Sequence, residues 1–216
     1  MPDTAVKIYA NSIPFTGPAG TLIYTGKANT TCILKSIVIC NTGSTVSPRI
    51  YIMINSNRFL VGGKQLKPYE TLVIPVSDII IGPSETMHIY QEGTPGVANI
   101  RISAIERDGT PTTLGLSTSR LTLNASGIAI IPSASDSSKR LVKSLVICNT
   151  DSVVRTINIR FGGTGANLTL ISNYKLAPYD TILIPFTDIL LTSGEFVEGS
   201  ADSSVVSVHV VTQVVT

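Results

Sequence analysis

A chain of 216 residues, 43% of them apolar, is long enough to bury one large β domain or two ordinary ones. Only 14% of its residues are charged, against roughly 25% in typical domains, so Ser, Thr and Asn must supply much of the polar surface. A net charge of +2 gives no electrostatic case for nucleic acid or a membrane surface, and the absence of Trp removes the usual stacking platform for sugars or bases.

The opening residues, Met1-Pro2-Asp3-Thr4, show no basic stretch leading into an apolar one, so no secretion signal is expected. No apolar run approaches the roughly 18 residues of a transmembrane helix. The expectation is synthesis in a cytoplasm. Ala5-Val6-Lys7-Ile8-Tyr9 then alternates with period two. It reads as a first strand or as an arm laid on a neighbouring subunit, and Leu114-Gly115-Leu116 in the second half favours the strand. Tyr9 is a candidate interface anchor.

Ile37-Val38-Ile39-Cys40 is apolar on both faces, as a central strand covered on both sides would be. Residues 49–54 and 98–105 predict further strands. Asn41-Thr42-Gly43, Asn55-Ser56-Asn57, Gly62-Gly63, Gly82-Pro83 and Gly93-Thr94-Pro95-Gly96 mark turns about every ten residues. No stretch of ten or more residues combines helical apolar spacing with a cap.

Much of this recurs. Residues 34–44, Leu34-Lys35-Ser36-Ile37-Val38-Ile39-Cys40-Asn41-Thr42-Gly43-Ser44, return as Val142-Lys143-Ser144-Leu145-Val146-Ile147-Cys148-Asn149-Thr150-Asp151-Ser152. Residues 66–79 return as 176–189, so that Pro68-Tyr69-Glu70-Thr71 is matched by Pro178-Tyr179-Asp180-Thr181. The spacing of about 108 to 110 residues is half the chain and far above solenoid periods. The expected fold class is therefore all-β: two tandem antiparallel β-sandwich domains, jelly-roll-like, arising from an internal duplication. The first spans residues 1–107 and the second 114–216, joined by a polar linker over 108–113 that contains Asp108-Gly109 and Pro111.

Catalytic chemistry is not indicated. His88 and His209 do not occupy matched places, and no nucleophile elbow or HExxH pattern is present. The expectation is no enzyme, no catalytic residue, no cofactor and no metal. Cys32, Cys40 and Cys148 are odd in number and lack CxxC spacing, so they read as small buried hydrophobes in a reducing compartment. Asp78 and Asp188, like Glu70 and Asp180, are matched acids that stand alone. They read as acceptors of backbone N–H bonds at turns beside Pro75 and Pro185 rather than as calcium ligands. Gly62-Gly63-Lys64 and Gly162-Gly163-Thr164-Gly165 read as hairpin or bulge glycines. Asn29-Thr30-Thr31, Asn124-Ala125-Ser126 and Asn167-Leu168-Thr169 read as chance sequons. In the Pro-Tyr-acid-Thr step, Pro sets the bend and Tyr supplies apolar area with a polar tip, which makes Tyr69 and Tyr179 further candidate interface anchors.

The run from Leu22-Ile23-Tyr24-Thr25 through Lys35-Ser36-Ile37-Val38-Ile39-Cys40-Asn41-Thr42, with the later Pro68-Tyr69-Glu70-Thr71 step, resembles virion structural proteins of tailed bacteriophages. The likeness covers most of both halves; Ile130-Ile131-Pro132-Ser133 departs from the first motif. It implies a particle component made in the host cytoplasm. A head decoration or cement protein comes first, trimeric and bound to the major capsid protein or other virion proteins. A tail, neck or baseplate part, or a lectin-like receptor-binding module of a fibre, are its rivals. Neither nucleic acid nor membrane is an implied partner.

Overall fold

The structure is a computed structural model that describes residues 3–55, 58–74, 76, 78–93, 98–133, 138–163, 168–184 and 188–215. Of the residues singled out above, Met1, Pro2, Ser56, Asn57, Pro75, Thr94, Pro95, Gly96, Thr164, Gly165, Asn167 and Pro185 lie outside the described ones. The chain splits into two compact units, Met1–Leu114 and Gly115–Thr216.

The first unit carries β1 (Thr4–Ser12), β2 (Thr21–Thr25), β3 (Thr30–Asn41), β4 (Arg49–Ile54), β5 (Arg58–Lys64), β6 (Thr71–Ile74), β7 (Ile79–Ile81), β8 (Thr86–Glu92) and β9 (Ala98–Asp108). Their pairing is nested: β4 with β5, β3 with β6 and β7, β2 with β8, β1 with β9, all antiparallel. Such nesting is one long hairpin. Rolling it up adds the β3–β9 and β4–β8 pairs and leaves two sheets, β1-β9-β3-β6 with β7 also on β3, and β2-β8-β4-β5. This is the jelly-roll order. Alternate residues of both sheets turn inward: Ile37, Ile39, Ile100 and Ile102 from one, Ile50, Ile52, Ile54, Met87 and Ile89 from the other, all buried. β-Branched Ile dominates because it fits a pleated, half-buried surface.

The residues 5–9 do form the first strand. β1 pairs with β9 within its own unit, with a bulge between Lys7 and Tyr9. Gly63, at φ 101, lies where the register slips between Ile50 and Tyr51, which is the bulge role expected of it. At the other end of the unit, β9 runs on to Asp108, Gly109 N–H donates to Asn29 O at 2.7 Å, and Thr112–Leu114 forms a short 3-10 turn.

The second unit carries β10 (Leu116–Thr122), β11 (Ile128–Ile131), β12 (Lys139–Asn149), β13 (Arg155–Gly162), β14 (Leu168–Leu176), β15 (Thr181–Ile184), β16 (Ile189–Leu191), β17 (Phe196–Ala201) and β18 (Val206–Val215). Its sheets, β10-β18-β12-β15 with β16 on β12 and β11-β17-β13-β14, follow the same order. One core cluster draws on both: Val142, Leu145, Ile147, Val206, Val208 and Val210 from the first, Ile130, Ile157, Ile159 and Val197 from the second. Two sheets sharing one core make a sandwich.

The central-strand reading of Ile37-Val38-Ile39-Cys40 holds in topology, and its repeat Leu145-Val146-Ile147-Cys148 takes the same place on β12. It holds in burial only for β12, where residues 145–148 are all buried. On β3, Val38 and Cys40 are half-exposed on the face away from the core.

Candidate functional site

The Pro-Tyr step closes a tight turn. Glu70 N–H donates to Lys67 O at 3.1 Å, and the Glu70 carboxylate accepts Lys67 N–H at 2.6 Å, as its place at a turn led one to expect. Pro68 sets the bend, and the next residue must take a positive φ, a post that favours Gly or Asn. Here it is Tyr69, at φ 59. Its N–H donates to Gly43 O at 3.3 Å, tying the turn to the β3–β4 loop that carries Val46. Tyr69 is 69% exposed, Val73 of edge strand β6 62% and Val46 55%. Three exposed apolar side chains are thus carried on linked backbone beside the edge strand β6.

In the second unit Tyr179 takes the same conformation, φ 55, with its N–H on Asp151 O at 3.1 Å and Asp180 N–H on Ala177 O at 3.2 Å. It is half-buried, and the neighbouring exposed apolar residues are Val153 and Val154. Tyr9 is half-buried too, and its hydroxyl donates to Ser12 O at 3.1 Å. β1 and β6 are opposite edges of one sheet, so Tyr9 and Tyr69 are kept apart. The left-handed posts of Tyr69 and Tyr179 were not read from the sequence, although Pro followed by a non-glycine residue at such a turn is the signal that could have shown them.

Asp78 and Asp188 differ from the turn-acceptor reading. Each sits at positive φ, 55 and 59, where the strand facing β3 or β12 is interrupted. Asp78 Oδ1 receives Lys35 Nζ at 2.6 Å, and Asp188 pairs with Lys143 in the same way. The Lys of each Lys-Ser motif therefore bridges the break in its neighbour strand, a long-range partner that spacing in sequence does not reveal.

A second polar group lies in the first unit between β2, β3 and β9. The Tyr24 hydroxyl donates to Glu106 Oε1 at 3.0 Å, and Lys27 Nζ donates to Glu106 Oε2 at 2.6 Å. Burial pushes the Cys32 thiol up to about 11, and a hydrogen bond with Tyr24 partly opposes this. Burial first, then Cys32 and Glu106, push the Tyr24 phenol up as well. Both groups stay neutral across the physiological range. Among the described residues no group of three or more His, Cys, Asp or Glu could hold a metal ion, and no helix is long and apolar enough to cross a membrane.

No protein-family model matches the chain, and no curated protein matches it. Among solved structures it is similar to a chain of Sulfolobus turreted icosahedral virus, at 13% identity and a TM-score of 0.32 over 97% of this chain and 59% of that one. Infectious bursal disease virus strain Gx gives 8% identity and a TM-score of 0.32 over 99% of this chain and 72% of that one. Allantoicase from Saccharomyces cerevisiae gives 8% and 0.24 over 97% and 90%. Superpositions this loose establish neither a common fold nor a common role; the jelly-roll order is read from the strand pairing itself.

Proposed function

We propose that this chain is a non-enzymatic structural protein of a virion, built by tandem duplication of a jelly-roll domain with residues 108–113 as the joint, and that it decorates and cements a phage head. The observation that carries the reading is Tyr69. A large side chain at positive φ costs roughly 1–2 kcal/mol relative to the ordinary conformation, and Gly would avoid that cost. Both units nevertheless keep Tyr there, and in the first unit Tyr69 gains little burial in return. A strained, exposed aromatic beside two exposed valines fits an anchor for a partner surface. The low charge and the resemblance of the Lys-Ser-Ile strand and the Pro-Tyr turn to phage virion proteins support the same reading.

In this role the patch of Val46, Tyr69 and Val73 packs on the major capsid protein or another virion protein, with Tyr179 and Tyr9 as lesser anchors. Each copy contributes modestly and many copies stiffen the shell by mass action. A symmetric trimer suits the local three-fold points of a capsid. Copy number tests it: quantitative mass spectrometry of purified particles should find hundreds of copies against the major capsid protein. A count of three, six or twelve would move the protein to the tail or neck, and absence from particles would sink the virion role.

A further inference from the structure

The two units can be superposed residue by residue through their strand registers, since bulges fall at matched places: Leu34/Ser36 and Val142/Ser144, Leu22/Tyr24 and Ala129/Ile131. Cys32 faces Glu106 across β3 and β9, and Arg140 faces Val214 across β12 and β18. Tyr24 faces Met87, and Ile131 faces Val197. Val6 and Tyr9 answer to Ser117 and Ser119 by the same logic. In the first unit, then, a phenol ring runs from β2 to a carboxylate on β9 and fills the space between. In the second unit both the ring and the carboxylate are missing. Ile131 replaces Tyr24, Val214 replaces Glu106, and serines replace Val6 and Tyr9.

What remains there is a cleft of about 320 Å³ lined by Ser117, Ser119, Ile131, Arg140, Thr212 and Val214, among others. Its lining mixes apolar side chains with the hydroxyls of Ser117, Ser119 and Thr212, and among the described residues Arg140 is its one charged member. Arg140 Nη1 donates to Pro132 O at 3.0 Å, which fixes the guanidinium while leaving it further N–H donors for a carboxylate. Among the described residues no acidic side chain lines the cleft.

We propose that this cleft binds an aryl carboxylate: a ring lying where Tyr24 lies in the first unit, with the carboxylate taken up by Arg140 and the hydroxyls of Ser117, Ser119 and Thr212. The first unit thus shows, in its own side chains, the shape of the ligand that the second unit lacks. The inference is independent of the virion role. Size agrees, because a cleft of about 320 Å³ stands at the small end of ligand sites, where a single substituted ring fits.

The probe is 3-(4-hydroxyphenyl)propionate, added to the full chain and followed by calorimetry and ligand-observed NMR. Binding should be saturable, and p-cresol, which lacks the carboxylate, should bind at least about tenfold more weakly, the worth of one charge-assisted pair. R140Q should weaken the acid by a similar factor and leave p-cresol unchanged. I131Y, which restores the first unit's tyrosine, should abolish binding of both; because Ile131 is buried, circular dichroism and a cooperative melt must show that the variant is folded, and R140Q carries the test if it is not. A tyrosine-terminated peptide and its carboxy-terminal amide identify the source. Tighter binding by the acid-ended peptide than by the free acid marks a protein chain end, and the reverse marks a small molecule. No saturable binding by the free acid or the peptide, or binding that survives I131Y, overturns the proposal.

Discussion

Asn41 and Asn149 hold the same post in the two units, each sending one side-chain amide to three backbone carbonyls. Asn41 Nδ2 donates to Thr45 O at 2.7 Å, Leu66 O at 3.4 Å and Lys67 O at 3.0 Å, while its Oδ1 accepts Gly43 N–H at 3.0 Å. Asn149 does so with Val153 O at 2.9 Å, Leu176 O at 3.3 Å, Ala177 O at 3.0 Å and Asp151 N–H at 3.0 Å. Both residues are buried. They join the loop after the central strand to the segment that leads into the Pro-Tyr turn. Replacing Asn149 with Ala strands buried carbonyls at a cost of about 3 kcal/mol. For a domain of this size that lowers the melting temperature by on the order of 10 °C. Calorimetry of N149A checks it, with a shift of a degree or two as the outcome that would remove Asn149 from its structural post.

Tyr69 separates stability from assembly. Y69G relieves the positive φ and removes a ring that buries little, so its melting temperature should equal or exceed that of the parent. Its occupancy on shells lacking the native protein should fall several-fold. If occupancy is unchanged, Tyr69 is not an anchor; if Y69G melts well below the parent, the turn needs the ring for folding.

Strand content, the central place of the Lys-Ser-Ile run and its Lys-Ser-Leu repeat, and the Pro-Tyr turns were legible in the sequence because each is local: alternation, a repeated word, a turn dipeptide. The pairing of Lys35 with Asp78 was not, since it depends on two short strands, β6 and β7, meeting one long strand with a break between them. The cleft beside Arg140 was hidden for the same reason. Ser117, Ile131, Arg140 and Val214 come from four strands, and only the register shows that they replace Val6, Tyr24, Cys32 and Glu106. Tyr69 was singled out from its repeat, but its left-handed backbone, which gives the residue its weight, is a property of the folded turn.

Stability should fall at both ends of the pH scale. The Arg107 guanidinium, forked onto Asp3 at 2.8 and 2.7 Å, holds that carboxyl below its ordinary value, and Arg155 does the same for Asp151. Thr192 N–H at 2.6 Å, then its hydroxyl at 2.9 Å, lower Glu195. A depressed folded value means stability that is present above the unfolded one, 3.8 for Asp and 4.5 for Glu, and is lost as pH falls through the folded one. Cys32, raised from 9.0 to about 11, works the other way: its contribution is full below pH 9.0 and is lost as pH rises towards 11. Urea titrations should therefore give a plateau between these limits. E195Q should soften the acid limb and C32A the alkaline one. Unchanged limbs in these variants would count against those assignments.

Cys40 offers a test of which sheet face meets a partner. None of the three cysteines is in a disulfide, but Cys32 and Cys148 are buried and Cys40 is half-exposed. Cys40 pairs with Thr71 and Val38 with Val73, so Cys40 shares the outward face of the sheet with exposed Val73, one strand in from the edge. Under native conditions at neutral pH a maleimide should modify one thiol per chain, and in denaturant three. Burial suppresses reaction by keeping the thiolate both scarce and inaccessible. Because the label stands on the sheet face that carries exposed Val73, a bulky maleimide at Cys40 should block binding to shells if the partner covers that face, and C40A should restore binding in the presence of the reagent. If the labelled protein binds normally, the partner does not lie over this face, and the contact must be sought at the turn alone.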